Sequence, residues 1–229
     1  MTKKLFPVTM VITIIAGIIF RLTVPDCGLS KIENIEDIKS GTIVLNYALG
    51  ADKGDEDGMT EAGFAKNGDK YDVDSASVIA VVEPTGNLRQ TEGSIGQEII
   101  FKEIIKGNEF VLVQQKGYVY RYFGFRETDG GIQYMNTLNL MYPGNEYLIF
   151  LDASPLNSYM REPVFILKSS FFGYVNISGQ NTRTLDNNFQ DYDFLELKDY
   201  EFFSVSEKIT NVLNNIRKEL LSQYLKCYP

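Results

Sequence analysis

The stretch GQEIIFKEIIKGNEF, residues 96–110, has two readings, and the choice between them sets the fold. Ile100, Phe101, Ile104 and Ile105 share one face of a helix. In a strand, Ile99, Phe101 and Ile105 share one face and Ile100 and Ile104 the other. The neighbouring sequence decides. From Ser75 onward, strand signals recur about every ten residues between turn residues, the mark of an antiparallel barrel or sandwich. SASVIAVVEPTG is a β-branched run stopped by Pro84-Thr85-Gly86. EFVLVQQKG alternates Phe110 and Leu112 with Val111 and Val113. YVYRYFGF sets Tyr118, Tyr120 and Tyr122 on one face and Val119, Arg121 and Phe123 on the other. GIQYMNTLNLMYPGN closes on a turn, EYLIFLD suits a central strand, and REPVFILKSS and FFGYVNIS follow. A helix at 97–106 would stand alone among strands, so this segment is read as a strand.

Working outward, the flanks have other characters. GLSKIENIEDIKSG has capping-box spacing at Ser30 and Glu33, with Ile32, Ile35 and Ile38 on one side of a short helix. TIVLNYAL, 42–49, reads as a strand. Residues 50–74 are rich in Gly and Asp and poor in aliphatics, the composition of an acidic loop. Residues 181–203 are polar and read as a long loop with weak strand content. SVSEKITNVLNNIRKELLSQYLK then traces a helix over 204–226, capped by Ser204 and Glu207. Ile209, Val212, Leu213, Ile216, Leu220 and Tyr224 form its apolar stripe, which is expected to pack on the domain.

The first residues, MTKKLFPVTMVITIIAGIIFRLTVPDC, carry Lys3 and Lys4 before an uncharged apolar run, Leu5 to Phe20, and Arg21 after it. This is an export signal, either a cleaved signal peptide or an anchor. The length of the run, its bulky end and the lack of an A-x-A-like site favour a transmembrane anchor over 1–26, with the lysines in the cytoplasm. The remainder, 27–229, is then a single extracytoplasmic domain; secretion after cleavage is the alternative. A lipobox is ruled out because Asp26 and Pro25 precede Cys27. Cys27 and Cys227 sit at the two ends of the exported part. They are read either as a disulfide worth ~4–5 kcal/mol by loop closure or as two free thiols.

The chemistry is narrowed by what is missing. The chain has no histidine, which removes Ser-His-Asp and Cys-His nucleophiles and all histidine zinc sites. No P-loop, dinucleotide fingerprint, G-x-S-x-G or S-x-x-K motif occurs. Its 22 basic and 30 acidic residues give a net charge of −8, which repels a phosphate backbone and argues against nucleic acid. Calcium is the cofactor to weigh. DKGDEDG spaces Asp55 and Asp57 before Gly58 as an EF-hand does, but Lys53 and Phe64 occupy ligand positions. A looser site would draw on Asp52, Asp55, Asp57, Asp72 or Asp74; a solvated acidic loop is the plain alternative. Tyr118, Tyr120 and Tyr122, with Phe171, Phe172 and Tyr174, are either core or an exposed binding face.

The segments SVIAVVEPTGN (77–87), EIIFKEIIKGNEFVLVQQ (98–115) and YPGNEYLIFLD (142–152) resemble bacterial exported domains with an OB-like barrel. These are related in plan to the tissue inhibitor of metalloproteinases and netrin-type modules. Gly144, Tyr147, Leu148, Phe150 and Leu151 match the family's returning strand. The resemblance covers about a third of the chain. It implies a barrel and binding rather than catalysis. Metalloproteinase inhibition does not carry over, because it would need cleavage between Asp26 and Cys27. The expectation is a mainly β (α+β) protein: an OB-like antiparallel barrel with a C-terminal amphipathic helix behind a transmembrane segment. Its expected function is non-enzymatic binding or assembly at the cell surface, with a surface protein or glycan as partner. The alternative is an envelope polysaccharide hydrolase using a carboxylate pair.

Overall fold

The opening segment folds as a strand, Ser94–Lys106. Ile99 and Phe101 are fully buried, while Glu98 and Gly96 point to the opposite face, against Tyr118 and Tyr120. The structure, a computed structural model, describes residues 33–38, 41–43, 73–91, 94–122, 125–128, 131–134, 138–154, 162–169, 172–179, 182–185, 192–204 and 206–225. All belong to one unit, Ile32–Pro229. The apolar segment 1–26, the loop 50–72 and both cysteines lie outside the described residues. Among the described residues no helix is long and apolar enough to cross a membrane.

The strands are β1 (Gly41–Ile43), β2 (Val78–Thr91), β3 (Ser94–Lys106), β4 (Lys116–Tyr122), β5 (Phe125–Thr128), β6 (Gly131–Tyr134), β7 (Tyr147–Ala153), β8 (Val164–Leu167), β9 (Tyr174–Asn176), β10 (Thr182–Thr184), β11 (Tyr192–Asp193) and β12 (Phe202–Ser204). The helices are α1 (Phe194–Leu197) and α2 (Glu207–Tyr224). The main, six-stranded sheet runs β2-β3-β4-β8-β7-β9, and β7 also pairs back to β2, closing β2, β3, β4, β8 and β7 into a five-stranded barrel. Its contacts are antiparallel except β4–β8, which is parallel. The order β7-β2-β3-β4 is a Greek key. A second, mixed sheet runs β11-β1-β6-β5.

Closure needs strongly bent strands. β2 supplies the bends, with register shifts against β3 at Ile79/Ala80, Val81/Val82 and Pro84/Leu88. The third shift corrects the sequence reading. Pro84-Thr85-Gly86 was expected to end the strand, yet β2 continues to Thr91. Pro84 still pairs with Ile99, and the ladder then skips Thr85, Gly86 and Asn87 before resuming at Leu88, so the proline sits at the edge of a bulge, where it is tolerated. The bulge is held by Glu98, whose Oε2 accepts from Thr85 Oγ1 at 2.7 Å and Asn87 Nδ2 at 2.9 Å. Val78 to Val82 pair with Leu151 to Tyr147 across the closure, all of them buried. Phe101 and Phe165 meet edge to face at 5.6 Å inside.

Three further expectations change. The segment at 110–113 is not a strand but part of a turn system. Gly107 (φ 95°) and Gln114 (φ 66°) reverse the chain, and Gln115 Oε1 accepts from Leu112 N at 2.8 Å. Only Val111 is buried there; Phe110, Leu112 and Val113 face solvent. The described helix near Ile35 is a single 3-10 turn, Ile35–Asp37, with a capping box formed by Asn34 and Asp37; Ser30 of the expected box lies outside the described residues. The C-terminal helix begins at Glu207 with Ser206 as its cap. Ser204 lies on β12 instead, its Oγ accepting from Ser206 N at 3.1 Å. The apolar stripe of α2 packs as anticipated: Ile209, Leu213, Ile216 and Leu220 are buried.

Gly107 and Gly144 separate two costs of replacing glycine at positive φ. A Cβ on Gly107 would lie 2.5 Å from the Ser77 carbonyl oxygen, whereas one on Gly144 would meet nothing within 4 Å. Gly144→Ala is expected to cost about 1 kcal/mol from backbone strain. Gly107→Ala is expected to cost about 3 kcal/mol or more, because strain and collision combine. Urea denaturation of both variants checks the order; equal losses would contradict this turn geometry.

Candidate functional site

Two buried amides shape the end of the barrel. Gln97, on the inward face of β3, donates Nε2 to the Met141 carbonyl at 2.8 Å and accepts from Met141 N at 3.0 Å. Asn139 donates Nδ2 to the Leu197 and Tyr200 carbonyls at 2.8 and 2.9 Å, which ties down the turn after α1. Each amide replaces backbone partners that an irregular segment would otherwise leave unmet. Together they stretch 138–146 and 198–201 as two walls with a space between.

That space is a cleft of about 670 Å³. Tyr142, Tyr147 and Tyr200 line it with Asn145, Asn176 and Glu201, and the 3-10 turn brings Ile35, Glu36 and Ile38 to it. Leu195, Lys198 and Asp199 complete its α1 side. The size is that of a small-ligand site. Tyr147 reaches in from β7, accepts from Tyr142 N at 3.0 Å, and packs edge to face on Tyr174 at 5.5 Å. Burial pushes its hydroxyl well above the usual tyrosine range; the Tyr142 N–H pulls the other way and Glu201 adds to the rise.

Behind the cleft lies a buried ion pair. Arg217 Nε donates to Glu201 Oε2 at 3.2 Å, with both side chains 6% exposed or less. Arg217 Nη2 also donates to the Asn176 and Gly179 carbonyls, and Asn176 N donates to Glu201 Oε1. One guanidinium thus joins α2, the end of β9 and the segment before β12. Burial pushes the Glu201 carboxyl up to about 7, against the pull of Arg217 and the Asn176 N–H. Glu98 behaves in the opposite sense. Burial opposes its charge as well, but Thr85, Asn87 and Lys116 outweigh it and hold the carboxyl below the usual range.

The residues singled out from sequence distribute differently. Tyr118 and Tyr120 do share the outer face of β4. Tyr118 is buried under the Arg89 guanidinium, 3.9 Å from its ring centroid. Tyr120 covers Gly96, where a Cβ would come within 2.6 Å of its ring. Both rings therefore have a face occupied within the protein. The Tyr122 side chain, Asp52, Asp55, Asp57, Asp72, Cys27 and Cys227 lie outside the described residues. Asp74 is in an exposed turn, and its Oδ1 accepts from Gln223 Nε2 at 3.1 Å and from Tyr224 Oη. It fastens the end of α2 to the start of the barrel. Among the described residues no three His, Cys, Asp or Glu side chains gather to hold a metal ion.

Compared with known proteins, the chain matches no protein-family model, no curated sequence and no solved structure.

The two buried carboxyls predict opposite pH dependences. Glu201 binds its proton more tightly when folded, so its contribution is full below pH 4.5 and fades as pH rises to about 7. Relative to Glu201→Gln, the wild type should lose about 3 kcal/mol across that window. Glu98 stabilises above the ordinary carboxylate range and loses that contribution as pH falls. Relative to Glu98→Gln, the wild type should lose stability on acidification below 4.5. Thermal melts of the three proteins from pH 3 to 8 give both slopes, and a Glu201 slope of the opposite sign would contradict its assigned environment.

Proposed function

We propose that this chain is a non-enzymatic binding or assembly module of the cell surface, held by its N-terminal segment with the barrel outside the membrane. The OB-like reading draws support from the five-stranded Greek-key barrel, which is the general plan of that fold. In that plan the second and third strands often bear the ligand. Here those are β3 and β4, and their tyrosines are engaged by Arg89 and Gly96. The cleft between 138–146 and 198–201 is the better binding site.

The observation that carries a binding rather than a catalytic reading is the state of Glu201. It is the buried carboxyl of the cleft, and both its oxygens already accept hydrogen bonds, one from Arg217 and one from Asn176 N. A general acid must hand its proton to a substrate oxygen within hydrogen-bond reach. Glu201 is instead part of the frame.

The hydrolase reading keeps one specific support. Asp199 and Glu36 line the same cleft as Glu201, whose carboxyl is pushed up to about 7. Unlike carboxyls in one cleft are what glycoside hydrolysis uses.

Incubation with purified envelope polysaccharide separates the two. Binding alone predicts retention of the protein on the polymer or on an envelope protein in pull-downs, with no new reducing ends. Release of reducing ends that Glu201→Gln or Asp199→Asn abolishes would establish the hydrolase instead. Cell fractionation checks the placement: the chain should sediment with membranes, and external protease should digest the barrel in intact cells.

A further inference from the structure

We infer that the cleft takes a neutral oligosaccharide. The inference rests on the proposed binding role of that cleft and narrows its ligand. Sugars present flat C–H faces and a ring of hydroxyls that both donate and accept. They are met by aromatic rings together with planar carboxylate and amide groups. Tyr142 supplies a ring and Asn145 an amide from one wall. Tyr200, whose ring has the Arg183 guanidinium 5.4 Å from its centroid, and the Asp199 carboxylate come from the other, and the 3-10 turn adds the Glu36 carboxylate.

The two carboxylates are available. Among the described residues neither Glu36 nor Asp199 has a side-chain hydrogen bond or ion pair within the protein, and both are exposed. Each can accept from a sugar hydroxyl, and a charged acceptor makes a stronger bond than a neutral one.

Charge excludes the competing ligand classes. An acidic glycan or a phosphate would face Glu36 and Asp199 with Lys198 as the lining cation, on a chain of net charge −8. A basic peptide meets the reverse difficulty. The Arg183 guanidinium already sits 5.4 Å from the Tyr200 ring centroid, so the ring a cation would seek has one. Counting Glu36 and Asp199 against Lys198 on the lining and Arg183 beside the Tyr200 ring, the surroundings balance. The Glu201 carboxyl behind them is paired with Arg217. A balanced, hydrogen-bonding, tyrosine-lined cleft selects a neutral, hydroxyl-rich ligand. Tyr118 and Tyr120 are not among the residues that line it.

The test uses the full chain in detergent micelles and four probes: the N-acetylglucosamine tetramer, the glucose tetramer, the galacturonate tetramer and a mixed peptide library. Backbone NMR shifts at Glu36, Asn145, Asn176 and Asp199 report the cleft. One neutral tetramer should move these signals saturably, and Glu36→Ala/Asp199→Ala should weaken it at least tenfold without lowering Tm. Both positions are exposed, so the double variant should fold. Shifts caused only by galacturonate or by peptides overturn the inference and leave the binding role standing. Silence with every probe also overturns it, and the envelope pull-down then decides whether the module binds at all.

Discussion

A single guanidinium organises the part of the molecule that looks functional. Arg217 leaves α2 and meets Glu201, while its other nitrogen serves the carbonyls of Asn176 and Gly179. Without it, a buried carboxyl and two carbonyls would lose their donor. Breaking such a pair by removing one member typically costs ~3–5 kcal/mol, although an apolar replacement of both can be neutral. The arrangement is thus a poor way to gain stability and an effective way to fix geometry. It places the helix against β9 and β12 in one rotation and sets the back wall of the cleft.

The cleft itself follows from a mismatch between barrel and appendages. Five strands close on themselves through β2 and β7, which leaves no free edge in the barrel proper. The second sheet and both helices must then attach through irregular chain. Irregular chain has unmet backbone groups, and Gln97, Asn139 and Glu201 meet them. A smaller apolar cluster, Ile35, Ile38, Leu88, Ile95, Leu140, Leu185, Leu197 and Phe203, fills the junction. The space left beside that cluster is walled by segments that Gln97, Asn139 and Glu201 hydrogen-bond in place, which lowers the ordering cost a ligand would meet.

Regular elements were legible in the sequence because their signals are local. The apolar run of β7, the two-sided pattern of β3 and the stripe of α2 each report their own burial. The bulge at Pro84 was not legible, since what keeps the strand going is Glu98, on the neighbouring strand. The turn at 107–115 misled through its alternation. Glycine at 107 and a left-handed Gln114 overrode a β pattern whose apolar residues end up largely in solvent. The cleft was hidden for a different reason: its walls come from segments up to 166 residues apart in sequence, Ile35 to Glu201. One clue was present. Arg217 lies four residues after Leu213 and three before Leu220, inside the apolar face of α2, and a buried arginine requires an acid. Nothing in the polar stretch 181–203 marked Glu201 as its partner.

Residue-resolved amide hydrogen exchange tests this account most directly. Asn176 N–H is held by a buried carboxylate and Met141 N–H by Gln97, so both should exchange only on global unfolding, as slowly as Phe150 N–H in the barrel core, bonded to Gly173 O. Exchange of Asn176 or Met141 within minutes, while Phe150 stays protected, would mean that the cleft is not a prebuilt site.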